Sequence, residues 1–414
     1  MQKKNAPPLR IGFVGSGFIA RFHLEAFLGV RDARISGVFS PTPAHREALA
    51  AEAGRLGLGP CAPFPSIESM LRSGEVDAVW LLGPNSTRLA NMRAIHREVK
   101  AGRATLRGVA CEKPLARNLA EAREMLRLAE DANLNHGYLE NQLFSTAVRR
   151  GREIIWRRAA PIAGRPYLAR ASEEHSGPHA PWFWRGEEQG GGVLSDMMCH
   201  SVEVARYLLT EPGRDRHSLR PLSASATIAT LKWGRREYAR RLEETIGVDY
   251  SSSPVEDFAR GTLALEDEAG NRLIIEATTS WSYVGPGLRI QLELLGPEYA
   301  MEYSTLNSGL KVFLSRNVSG EAGEDLVEKQ NAEQGLMPVL EDEAASYGYT
   351  LEDRHMVGCF LRGERPEETF RDGVAVVELL MALYRSAETG RTIALPDPEL
   401  EDYVPAVARG EYRG

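Results

Sequence analysis

Eleven residues, Gly190 to His200 (GGGVLSDMMCH), set three glycines before an aspartate and a histidine four positions apart. On a helix, that spacing puts Asp196 and His200 on one face, one turn above each other. Cys199 would point roughly 100° away around a helix of 3.6 residues per turn and cannot easily join them. A zinc site needs three or four convergent ligands. Two are present here and no other cluster obviously completes the set, so no metal is expected. Taken alone, the pair reads either as a buried structural contact or as acid–base machinery, since imidazole titrates close to neutral pH.

A second chemical signal is Glu112-Lys113-Pro114, which follows a strand-like run and precedes an amphipathic helix carrying Leu119, Ala122, Leu126 and Ala129. Alone, it reads as a surface turn. Beside a redox ring, a lysine has a physical role: its ammonium favours a developing alkoxide and lowers the pKa of a substrate hydroxyl.

Both signals need a frame to hold them. The first half provides one. Ile11 to Val14 form a short apolar run, followed by Gly15-Ser16-Gly17 and then by a helical pattern with Phe18, Phe22, Ala26 and Phe27 near one face. This is G-x-G-x-x-A, with Ala20 at the third small position. Gly15 permits the sharp turn and Gly17 a close approach to a pyrophosphate. Ala20 permits helix–strand packing, and the helix start around Phe18 and Ile19 offers backbone N–H groups to phosphate. Strands at 33–40 and 76–83, each followed by a helical stretch, imply a parallel sheet covered on both faces. A carboxylate at the end of the second strand would select NAD by bonding the ribose hydroxyls. The chain instead reads Ser40-Pro41-Thr42, with His45 and Arg46 nearby, so NAD and NADP both stay open.

From about residue 138 the alternation gives way to strands separated by turns, with a hairpin turn at Asp267–Leu273. The expected organisation is α/β. A Rossmann dinucleotide-binding domain (1–137) precedes an α+β substrate-binding and oligomerisation domain (138–414) with a large, mostly antiparallel sheet.

The totals set limits. The 414 residues exceed one simple core. A net charge of −7 argues against a general nucleic-acid binder. The basic cluster at 234–241 is interrupted by Glu237 and reads as a solvated face. The N-terminus has no apolar segment of signal-peptide length, and no apolar run approaches the roughly 20 residues needed to span a bilayer. Cys61, Cys111, Cys199 and Cys359 are scattered, without a C-x-x-C. Reduced thiols and a cytoplasmic location are expected. Asn317-Val318-Ser319 fits a glycosylation pattern, which carries no weight without a signal peptide.

Together, the G-x-G-x-x-A half, Glu112-Lys113-Pro114 and the glycine turn before Asp196 and His200 resemble the Gfo/Idh/MocA family. This is the glucose–fructose oxidoreductase and inositol dehydrogenase group, and the resemblance covers nearly the whole chain. Gly83-Pro84-Asn85-Ser86 is similar to the family loop lying along the nicotinamide, and residues 360–396 are similar to its closing helices and final strand. The chain departs from the pattern at Arg88, where members usually carry histidine, and in a lengthened connection at 104–111.

The resemblance implies a Lys113–Asp196–His200 group. His200 takes the hydroxyl proton, Asp196 holds a substrate hydroxyl, and Lys113 bonds the reacting oxygen. It further implies cofactor contacts near Pro84, Asn85, Glu112 and Lys113, and a substrate contact at Asn141 after the sixth strand. The implied substrate is a sugar, sugar acid or cyclitol, and the implied assembly a homodimer or homotetramer. In the loop at 171–188, His175, His179, Trp182, Trp184 and Arg185 are candidates for stacking on or bonding to a sugar, or for plain packing. Tyr283 and His355 are weaker candidates. Two alternatives remain: a retained-cofactor enzyme of the same family that processes glycosides, and a non-catalytic dinucleotide sensor.

Overall fold

The computed structural model describes residues 7–314, 335–340 and 342–414. The first six residues and the glycosylation-like segment at 317–320 lie outside them. The chain forms two compact units.

The first unit is a six-stranded, all-parallel sheet in the order β3-β2-β1-β4-β5-β6. Its strands are β1 (Leu9–Val14), β2 (Ala33–Phe39), β3 (Ala62–Phe64), β4 (Ala78–Leu81), β5 (Gly108–Glu112) and β6 (Asn135–Leu139). Helices α1 (Phe18–Phe27), α2 (Pro43–Arg55), α3 (Ile67–Arg72), α4 (Asn85–Lys100) and α5 (Leu119–Asp131) make the connections. β1, β4 and β5 are buried almost throughout, because helices cover both faces of such a sheet. The edge strand β3, three residues long, escapes the sequence pattern.

The expected domain boundary at 137/138 differs from the compact units. The first unit runs on to Ser145 and takes back Tyr347–Ala375. The reason is apolar packing. On the returning helix Tyr349–Arg362, the side chains Met356, Val357 and Phe360 join the core made by Leu9, Ile11, Phe27 and Trp80. Phe360 meets Trp80 edge-on, with ring centroids 5.6 Å apart. A methyl group on Gly108 would lie 2.7 Å from the Phe360 ring, and one on Gly137 would lie 2.5 Å from Met356 Sδ. Both sheet positions admit the helix because they lack side chains.

The second unit contains a seven-stranded sheet in the order β12-β11-β7-β10-β9-β8-β15. Its strands are β7 (Leu168–Glu174), β8 (Arg220–Ala229), β9 (Phe258–Glu266), β10 (Arg272–Ser280), β11 (Arg289–Gly296), β12 (Tyr299–Ser304) and β15 (Ile393–Ala394). All pairs are antiparallel except β7 with β10. The pair β13 (Leu310–Leu314) and β14 (Gly335–Val339) stands apart from it. The expected hairpin turn joins β9 to β10: Asp267 Oδ1 accepts from the amides of Ala269 and Asn271. The helix Val193–Leu209, buried along its whole length, packs on β7 and β10.

Candidate active site

In the first unit, the glycine turn after β1 forms as the sequence predicts, and its two glycines do different work. Gly15 has φ +125°, and a methyl group there would lie 2.7 Å from the Leu82 carbonyl carbon. It is required by the fold itself. Gly17 caps α1, and a methyl group there would meet no protein atom within 4 Å. No side chain caps α1 and its first turn carries no acid, so Phe18 and Ile19 open a helix end suited to an anion. These features fit a dinucleotide pyrophosphate.

At the end of β2, Ser40 is buried and Thr42 caps α2 without using its side chain. The sequence places no arginine directly at this turn, but the first turn of α2 folds Arg46 back onto it. Its guanidinium donates to the carbonyls of Ser40 (3.1 Å) and Pro41 (3.3 Å). A cation therefore lies against the backbone of the β2 turn.

The Glu112-Lys113-Pro114 turn leaves the C-terminal end of β5 and contains a cis Lys113–Pro114 bond. Two groups that sequence reasoning did not assign hold it. Arg88, the departure from the family pattern, is buried on α4. Its guanidinium donates to the carbonyls of Gly83 (3.2 Å), Glu112 (2.6 Å) and Pro114. It thus ties the Gly83-Pro84-Asn85 loop to the lysine turn. His23, buried on α1, lies between two carboxylates: Nε2 is 3.0 Å from Glu112 Oε1 and Nδ1 is 2.8 Å from Asp353 Oδ2. The other oxygen of Glu112 accepts from the Lys113 amide at 3.0 Å. Both Glu112 oxygens are thus engaged within the protein, and Lys113 is half-buried. The one available signal was a histidine and an Asp among the apolar positions of two helices. Asn141 is buried in a 3₁₀ turn, where its Nδ2 donates to the Tyr347 carbonyl, so it fastens the returning segment. His355 accepts from the Glu367 amide and packs on Phe144.

In the second unit, the helix Val193–Leu209 carries Asp196 and His200, both buried. Each of the three glycines before it has its own reason. Gly190 has φ +92°. A methyl group on Gly191 would lie 2.0 Å from the Tyr384 hydroxyl, and one on Gly192 2.4 Å from the Glu256 carbonyl. The chain passes this close because Glu256 and Tyr384 cap the helix. Glu256 Oε1 accepts from the amides of Gly192 (2.9 Å) and Leu194 (3.1 Å) and from the Tyr384 hydroxyl (2.6 Å). That hydroxyl in turn accepts from the amides of Gly192 and Ser195. The Glu256 carbonyl takes the Val193 amide. Burial pushes the Glu256 carboxyl up to about 7, against the pull of these donors. Neither capping residue was found from sequence, because they lie 64 and 192 positions from Gly192.

The 171–188 loop divides. Trp184 is a correction: it is enclosed by Trp233, Trp281 and Tyr250, and its indole N–H donates to the Pro178 carbonyl. It is core, with no ring face for a sugar. His175 is buried, and its Nδ1 accepts from the Gly177 amide. Trp182 is half-buried and stacked on Phe183 at 3.8 Å. Arg185 is exposed and paired with Glu188, and His179 is exposed.

Family models match both units. Residues 9–137 match the oxidoreductase family with an NAD-binding Rossmann fold, and residues 159–298 match the GFO/IDH/MocA C-terminal domain. The chain belongs to the Gfo/Idh/MocA family of oxidoreductases. Its first unit is the family's NAD-binding domain.

The inositol 2-dehydrogenase of Rhizobium meliloti (strain 1021) is 24% identical over 94% of this chain and 99% of its own length. The 1,5-anhydro-D-fructose reductase of Ensifer adhaerens is 32% identical over 49% of this chain and 57% of its own. Among solved structures, GenD2 from gentamicin A biosynthesis, in complex with NAD, has the same fold. Its TM-score is 0.75 at 23% identity, covering 95% of this chain and 98% of that one. Among the described residues, no helix is long and apolar enough to cross a membrane.

Proposed function

We propose that the protein oxidises a secondary alcohol of a sugar, sugar acid or cyclitol with NAD or NADP. The observation that carries this reading is Lys113. It stands at the C-terminal edge of a parallel sheet, the edge at which open α/β folds bind their ligands. It stands there on a turn braced from two sides. When bound, the nicotinamide supplies the hydride acceptor. The chain's own residues supply the rest. Lys113 holds the reacting oxygen and favours negative charge on it. His200 takes the hydroxyl proton. Asp196, one helical turn away, holds a neighbouring hydroxyl. The relatives named above act on cyclitols and sugars by their names, which supports this substrate class. Arg46 at the β2 turn supports acceptance of NADP alongside NAD. Trp182 is the remaining aromatic candidate for stacking on the substrate.

The protein is further proposed to be cytoplasmic and to assemble as a homodimer or homotetramer. Sedimentation showing only monomer at micromolar concentration would remove the second statement. The test of function is nicotinamide reduction by the pure protein, with NAD and NADP, against aldoses, sugar acids, inositols and glycosides. Turnover with one polyol class supports the reading. Tight cofactor binding without net reduction points to the retained-cofactor or sensor alternatives. Absence of dinucleotide binding defeats the reading.

A further inference from the structure

We propose that His23, on α1, is a positioning residue for Lys113, acting through Glu112 and anchored by Asp353. The inference rests on the reading of Lys113 given above.

The geometry is a buried chain of contacts within the first unit. The Trp80 indole N–H donates to Asp353 Oδ1 at 2.9 Å. Asp353 Oδ2 faces His23 Nδ1, His23 Nε2 faces Glu112 Oε1, and Glu112 Oε2 accepts the Lys113 amide. An imidazole that bridges two carboxylates needs a proton on each nitrogen. Burial alone would push His23 down, but Asp353 and Glu112 outweigh it and lift the group to about 10. Burial likewise opposes ionisation of Glu112, and the hydrogen bond from His23 overcomes it with help from Lys113 and Arg88, so its carboxyl lies below the usual range. The ring is therefore a fixed cation under an anion that holds the backbone of Lys113.

The remaining charged neighbours are acidic. Glu352 is fully buried, and neither of its oxygens has a hydrogen-bond partner. Burial, then Asp353, Glu112, Glu140 and Glu368, raise its carboxyl well above the usual range. His23 is thus the cation between Glu112 and Asp353; burial raises the Asp353 carboxyl, and the His23 charge and the hydrogen bonds from His23 and Trp80 pull against that. Tyr349 closes the pocket, edge-on to the imidazole at 5.4 Å. A metal ion on His23, Glu352 and Asp353 would have to break the 2.8 Å contact to Asp353 and take the Nδ1 proton. A proton already satisfies that geometry.

The role separates from plain packing through electrostatics. Replacing His23 by a neutral residue removes a positive charge beside Glu112. The surroundings of Lys113 become more negative, and its ammonium keeps its proton to higher pH. The experiment compares wild type, His23→Gln, Asp353→Asn and Lys113→Ala on the polyol that wild type oxidises fastest. His23→Gln is expected to lower kcat by about ten- to a hundredfold, the scale of misplacing a reacting group. The cofactor KM should change by less than about threefold, because the pyrophosphate turn is untouched. The basic limb of the kcat–pH profile should move upward. Asp353→Asn, which keeps the shape but removes the anion that holds the proton on His23, should leave the imidazole neutral and so move both in the same direction by less, and it decides the matter if His23→Gln does not fold. An unchanged kcat and pH profile in a folded variant that only melts earlier would overturn the proposal. If Lys113→Ala keeps full turnover, the reading of Lys113 fails and this proposal fails with it. If Lys113→Ala is inactive while His23→Gln behaves as wild type, only the proposal about His23 fails.

Discussion

Lys113 and His200 are held by opposite means. Lys113 sits on a turn, an element with no ladder of its own. Its position comes from buried charge: the Arg88 guanidinium on three carbonyls, and His23 between Glu112 and Asp353. His200 sits in a helix buried along its whole length, whose own hydrogen bonds fix it. Only the helix start needs help, and Glu256 and Tyr384 provide it by accepting its first amides. The difference teaches that a side chain on irregular backbone is positioned only when nearby carbonyls and amides find partners elsewhere in the fold. One inside a helix needs only the end of that helix secured.

The largest expected effect tests whether both elements serve one reaction. Lys113→Ala and His200→Ala should each lower turnover by about 10²–10⁴-fold, the usual contribution of a positioned acid, base or charge. Steady-state rates would show it, and a variant retaining full rate would break the pairing.

Next, the two braces can be weighed against each other. Arg88→Ala takes the guanidinium from three carbonyls, two of them buried, and should cost about 2–4 kcal/mol. Tyr384→Phe removes one hydroxyl and should cost about 1–2 kcal/mol. Urea unfolding measures both, and equal losses would mean that the two braces do not differ in strength.

The braces should also differ in pH response. His23 is raised from 6.5 to about 10. Its stabilisation is complete below about 6.5 and is lost as pH rises through about 10. Glu256 is also raised, from 4.5 to about 7, and its contribution is complete below about 4.5 and lost as pH rises through about 7. The stability advantage of wild type over His23→Gln should therefore decline in the alkaline window, and that over Glu256→Gln in the acid-to-neutral window. Thermal melts across pH 4–11 would display two separate declines. A common window would refute the assignment.

The smallest effect on stability is expected at Gly17. Gly17→Ala meets open space and should change stability by less than about 0.5 kcal/mol. It should still weaken dinucleotide binding, because the backbone can no longer approach the pyrophosphate. Titration of cofactor fluorescence against urea unfolding separates the two. Gly15→Ala, at φ +125°, should lose both together.

Much of the fold was legible because it rests on local pattern. β1, the glycine turn and α1 follow from an apolar run, two small residues and a helical period. The spacing of Asp196 and His200 follows from the helix alone. The return of Tyr349–Arg362 to the first sheet was not legible: that contact depends on two glycines in distant strands, Gly108 and Gly137. Trp184 misled because a tryptophan in a polar loop has the same composition whether it faces a sugar or three other aromatic rings.

By itself, the sequence determined the family, the parallel nucleotide-binding half and the types of residue available for chemistry. These depend on motifs a few residues long. The tertiary structure alone decided what supports them. Only folding brings His23 to Glu112 across 89 positions, Asp353 to His23 across 330, and Tyr384 to Gly192 across 192. A buried polar group needs a partner, but any of many distant residues can provide it, so the choice is made by packing and cannot be read from local order.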